Sequence, residues 1–228
     1  MFLVPIELSY HGNLGMQFRI ARFYKKVQGL SQAAMTGRRF AWRIPPESRS
    51  AIPLAVYSLM YPVYFKEMVV KQAQQWNVDP CLVWAVIRQE SIFNAQIVSP
   101  AGAIGLMQVM PSTGKEISRE LQHPFTSDSL SNPACNILFG TYYLRKLLDQ
   151  FNENEALAVA SYNGGPLNAK EWYLRTQSED LDLFVENIGF SETRNYVKKV
   201  LANYWTYSKL TRIASFSGKK SAGQPDGR

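Results

Sequence analysis

The sequence predicts a nearly all-α protein. Apolar residues recur at helical spacing along most of the chain, no β-hairpin signature interrupts them, and no segment repeats. At 228 residues and 46% hydrophobic content, the chain can bury one sizeable core and carry a smaller attached piece. A charged share of 19%, with 14 Gly and 12 Pro, excludes disorder or a collagen-like repeat as its overall state.

Residues 14–35 read as one amphipathic helix or two short ones. Residues 38–50 follow Gly37, contain Pro45-Pro46 and read as a connector. Helical spacing returns over 54–76, with an interruption near Pro62. Asp79 then suits an N-cap and Pro80 a first helical position, so a helix is predicted from about Cys81 to Phe93. Residues 99–110, rich in Gly, Ala and Met, predict a compact loop. Further helices are predicted over 136–151, 155–162, 169–176 and 191–213, with Asn163-Gly164-Gly165-Pro166 as a break. The expected division is an N-terminal helical segment with linker (1–60), a main domain (61–212) and a disordered tail (213–228), most clearly from Gly218.

The net charge of +7 is uneven: residues 1–60 hold eight basic side chains and two acidic ones, Glu7 and Glu47. Such a field suits acidic partners, but no zinc-ligand cluster or RNP-like motif accompanies it, so no nucleic-acid partner is expected. Cys81 and Cys135 sit among apolar neighbours and are expected as buried thiols. No apolar run reaches the ~20 residues of a membrane span. Met1 to Ile6 meets Glu7 too early for a signal-peptide core, so no export signal is visible in the chain as given. His11 and His123 stand far apart and outside any zinc pattern, so neither metal nor cofactor is expected.

One carboxylate stands out. Glu90 falls seven residues after Val83, on the helical face that carries Val86 and Ile87. A carboxyl on an apolar stripe is costly when ionised, so its pKa rises and it can serve as an acid near neutrality. The competing explanation is a structural Glu paired with an Arg, such as Arg88. No Asp or Glu occurs between 91 and 115; glycines there permit close backbone approach, and Gln108 offers an amide suited to hydroxyl or N-acetyl groups.

Glu90-Ser91, then Gly105-Leu106-Met107-Gln108-Val109-Met110-Pro111, then Ala160-Ser161-Tyr162-Asn163-Gly164-Gly165 resemble, in order and spacing, the motifs of lytic transglycosylase (SLT) catalytic domains. The segment Phe184 to Val197 resembles a fourth motif, typical of the large soluble lytic transglycosylases of Gram-negative bacteria. The resemblance covers about residues 61–210. It implies a lysozyme-like all-α fold and cleavage of the β-1,4 bond between N-acetylmuramic acid and N-acetylglucosamine. The muramic C6 hydroxyl would attack its own anomeric centre and leave a 1,6-anhydro end. One carboxyl would then suffice where glycosidases normally divide the work between two.

By the same resemblance Glu90 is the acid and then the base. Ser99, Gln108 and Met110 are groove residues, and Tyr162 is a phenol near the carboxyl, able to orient it. Asn163 belongs to the same motif, Glu192 positions substrate, and Met107 is read as core. The implied partner is the peptidoglycan glycan strand, met by a monomer in the periplasm or cell envelope. A goose-type lysozyme-like hydrolase and a non-catalytic peptidoglycan-binding or assembly module are the alternatives. Residues 1–60 look like the end of the helical superhelix that precedes this domain in the large enzymes.

Overall fold

The computed structural model describes residues 14–43, 54–176, 178 and 180–220. Its regular elements are helical, and the described residues hold only isolated β-bridges, Val98 with Ile104 and Ile104 with Val109. The N-terminal segment forms α1 (Leu14–Lys26), α2 (Leu30–Arg43) and α3 (Leu54–Met60). The chain breaks between α1 and α2 at Gln28, whose φ of 59° is left-handed, so the two-helix reading of 14–35 holds. The predicted connector begins later than expected, because α2 runs through Arg38–Arg43; residues 44–53 lie outside the described part. Gly37 lets α2 meet α3 closely: a Cβ there would stand 2.1 Å from the Leu59 carbonyl oxygen.

The chain bends at Pro62 and enters α4 (Lys66–Gln75) and α5 (Pro80–Glu90). Asp79 caps α5 by accepting from the Cys81 N–H at 2.7 Å, with Pro80 at the first position. The Trp84 indole donates to the Tyr64 carbonyl at 2.9 Å, and the buried Tyr207 phenol donates to the Pro62 carbonyl at 2.9 Å. These bonds fasten the 61–65 bend to the helices beneath it.

α6 (Pro111–Glu120), a short 3₁₀ turn (Ser127–Ser131), α7 (Pro133–Gln150), α8 (Glu155–Gly164), α9 (Pro166–Thr176), α10 (Leu181–Glu186) and α11 (Ser191–Lys220) complete the described part. α6 and α10 were not predicted. In α6 only Gly114 and Ile117 are buried, too few for a visible apolar stripe. α11 was expected to end at Ile213 but continues to Lys220; the rest of the expected tail, 221–228, lies outside the described residues. α5 is the core helix, buried from Cys81 to Arg88 and packed on α11 and α4. α8 buries Ala156 to Ser161 between α7, α9 and α11. Cys81 and Cys135 are both free thiols, the first buried and the second only half-buried.

Candidate active site

α5 stops at Glu90, three residues before its predicted end. Ser91 caps the helix: its N–H and its hydroxyl both donate to the Ile87 carbonyl, each at 3.1 Å. Ile92 and Phe93 then turn left-handed, at φ 48° and 62°. That conformation costs roughly 1–2 kcal/mol per residue, and burial of the Phe93 ring, with its edge-to-face packing on Tyr64, offsets it. The result places the Glu90 carboxyl at the end of the core helix, half-buried.

The chain next forms a compact loop, as predicted for 99–110. The Ser99 hydroxyl accepts from the Ala103 N–H at 3.0 Å, and the two-bridge ladder ties 98, 104 and 109 together. Gln108 is left-handed (φ 50°), and its amide nitrogen donates to the Gly105 and Ile97 carbonyls at 2.9 and 3.3 Å. Those bonds leave the Ser99 hydrogen and the Gln108 Oε1 for a ligand. Met110 stands at the loop's edge, its side chain exposed and its carbonyl taken by the Gly114 N–H.

The loop is held from below by Asn136 of α7, to which the sequence reading gave no role. Fully buried, Asn136 accepts from the Met107 N–H at 2.7 Å and donates to the Ile104 and Leu130 carbonyls, both at 2.8 Å. Gly105 (φ 82°) is required beside it, since a Cβ there would stand 2.4 Å from the Leu130 carbonyl oxygen. Met107 is fully buried, in keeping with its core reading.

The end of α8 closes one side. The Tyr162 phenol donates to the Met107 carbonyl at 2.9 Å, and that bond holds the loop. Among the described residues no hydrogen bond joins Tyr162 to Glu90. The bond to Glu90 comes from Tyr196 of α11, whose phenol donates to Oε1 at 2.6 Å. Tyr162 remains close enough for Glu90 to help raise its pKa, after burial, the larger cause. Asn163, exposed, accepts from the Thr193 hydroxyl at 2.7 Å and so joins the end of α8 to the start of α11. Glu192, one residue before, is exposed. Glu90, Tyr162, Asn163, Glu192 and Tyr196 therefore gather where α5 ends, α8 ends and α11 begins.

Burial pushes the Glu90 pKa up from 4.5 to about 7; the Tyr196 hydrogen bond pulls it down, and the Glu192 charge raises it. With Oε1 accepting from Tyr196, Oε2 is left to carry the acidic proton. Arg88, the partner considered for a purely structural Glu90, lies instead over the Tyr61 ring at 4.4 Å. Among the described residues, no group of three or more His, Cys, Asp or Glu side chains could hold a metal ion.

A carboxyl whose pKa lies near neutrality thus stands at the end of a buried helix, inside the all-α fold of the lysozyme-like class. The family model "Transglycosylase SLT domain" matches residues 67–185, and the chain belongs to that family. It is 36% identical over 169 residues to the soluble lytic murein transglycosylase of Salmonella typhimurium, covering 73% of this chain and 25% of that protein. It is 37% identical over 145 residues to the protein of the same description from Escherichia coli K12, covering 62% and 22%. The 70 kDa soluble lytic transglycosylase Slt70 of Escherichia coli superposes with a TM-score of 0.75 at 29% identity, over 86% of this chain and 30% of that one. A complex of the 70-kDa soluble lytic transglycosylase with bulgecin A superposes at 0.76, with 28% identity over 87% and 31%. The chain thus spans about a quarter of the length of these curated relatives. The family match ends at residue 185, so Glu192 and Tyr196 lie beyond it.

Proposed function

We propose that this chain cleaves peptidoglycan as a lytic transglycosylase, with Glu90 as its single acid and base. The observation that carries the reading is the Glu90 carboxyl itself, held by Tyr196 and raised by burial to about 7. A pKa near the working pH suits a group that must donate a proton and then take one back. In the first step Glu90 gives its proton to the glycosidic oxygen as the bond from the muramic C1 breaks, while the substrate's N-acetyl oxygen shields C1. In the second, the Glu90 carboxylate takes the proton of the C6 hydroxyl, whose oxygen bonds to C1. The carboxyl is restored and no water is consumed.

Ser99, Gln108, Met110, Tyr162, Asn163 and Glu192 are the proposed groove residues. The free Ser99 hydrogen and Gln108 Oε1 support contact with sugar or N-acetyl groups. Glu192, placed to influence Glu90, supports a positioning role. The partner is a glycan strand of the cell envelope, bound by one copy of the chain, and the periplasm is where it meets that strand. Two solved relatives described as lytic transglycosylases and the murein named in the curated relatives support the substrate class.

Mass spectrometry of muropeptides released from purified sacculi tests this. Products ending in 1,6-anhydromuramic acid, lighter by one water than hydrolytic products, are expected. Reducing muramic ends would make the protein a hydrolase, and no release at all would make it a binding module.

A further inference from the structure

The first three helices carry a surface that glycan cleavage leaves unused. Arg19, Arg22, Lys25 and Lys26 of α1 are all exposed. None of the ion pairs among the described residues involves them, and α1, α2 and α3 contain no Asp or Glu. These four cations border a cleft of about 970 Å³ between α1 and α3, with Phe18, Phe23 and Leu59 as its apolar lining. The Arg22 guanidinium sits 5.9 Å over the Phe18 ring. The inner face of α1 is occupied by buried Ala21 and Tyr24, yet Phe23 and Val27, one turn apart, remain 49% and 51% exposed.

Exposed cations without an ion pair among the described residues attract a polyanion, and half-exposed apolar tips among them favour a phase that excludes water. Lys and Arg around exposed apolar side chains are the composition of segments that bind at a lipid interface. No helix among the described residues is long and apolar enough to cross a membrane, so association would be at its surface. We propose that α1 and its cleft dock the protein on an anionic phospholipid surface. Arg19, Arg22, Lys25 and Lys26 meet headgroup phosphates while Phe23 and Val27 enter the interfacial layer. Nucleic acid would engage the same cations but has no use for the Val27 side chain. The inference stands apart from the reading of Glu90.

The test is sedimentation of the full chain with vesicles of phosphatidylcholine and phosphatidylglycerol in equal parts, against phosphatidylcholine alone. Binding to the mixed vesicles only, weakened by salt, is expected. Arg19→Gln, Arg22→Gln, Lys25→Gln and Lys26→Gln together should lower partitioning by more than about a hundredfold, roughly fivefold for each cation. Phe23→Ser with Val27→Ser should lower it about tenfold and leave retention on DNA and heparin unchanged. Melting temperatures serve as the folding control. If the quadruple variant melts early, Lys25→Gln and Lys26→Gln singly carry the same test. Equal binding to both vesicles, or none to either, overturns the proposal. So does a serine pair that leaves vesicle binding intact, which would assign the patch to a soluble polyanion.

Discussion

Replacing Glu90 by Gln should destroy activity and, at the same time, stabilise the fold, with a pH dependence of defined sign. The carboxyl titrates at about 7 in the folded protein against 4.5 ordinarily, chiefly because burial disfavours its charged form. The folded state therefore holds a proton that the unfolded state has released between those two values. Stability contributed by the protonated carboxyl is fully present below pH 4.5 and is lost as pH rises toward 7. At about 1.4 kcal/mol per pH unit, the interval corresponds to about 3 kcal/mol. The amide does not ionise, so Glu90→Gln should match the parent at pH 4. At pH 8 it should exceed the parent by about 3 kcal/mol, or roughly 6–12 °C in melting temperature. Paired thermal melts at the two pH values, with turnover on glycan fragments, make the assay. Activity should fall by at least ~10²-fold, since the amide cannot give a proton to the leaving oxygen. A variant no more stable than the parent at pH 8, or equally stabilised at both, would show that the carboxyl is not desolvated. More than a tenth of parental activity would remove Glu90 from the chemistry.

Tyr196→Phe removes the hydrogen bond that holds the Glu90 pKa down, so the alkaline limb of the turnover profile should move to higher pH. Turnover should fall roughly 10–150-fold, the worth of a bond to a charged group; an unmoved limb would refute the pairing. Tyr162→Phe removes a bond to the Met107 carbonyl instead, and should cost about 1 kcal/mol in denaturant melts while the pH profile stays in place. Asn136→Ala strands the Met107 N–H and the Ile104 and Leu130 carbonyls in the interior. Chemical unfolding should show a loss of about 3 kcal/mol or more, and a loss under 1 kcal/mol would mean the loop closes without it.

What was legible in the sequence was what one helix can encode. Glu90 could be placed on the face of Val83, Val86 and Ile87 because all four share α5, and Asp79-Pro80 marked its start. The bond from Tyr196 spans 106 residues, and no local pattern specifies a contact of that range. A weak signal existed: Tyr196 lies four residues after Glu192 on α11, so a groove-facing Glu192 brings Tyr196 to the same side. Asn136 was hidden differently. It follows the helix start at Asn132-Pro133 closely enough to pass for a polar first turn, whereas its carboxamide is the post on which the groove loop rests.

The end of α5 shows how such non-local packing reaches the chemistry. Helical spacing alone carries the helix on to Phe93, which would leave Glu90 one turn inside it. Ser91, Ile92 and Phe93 depart from the helix even though neither Ile nor Phe favours a left-handed backbone; the buried Phe93 ring against Tyr64 selects that turn. As a consequence Glu90 becomes the final residue of α5. There burial is the largest cause that favours the protonated acid. A residue that spacing places on a core stripe thus becomes the last of its helix because the chain after it refuses to continue that helix.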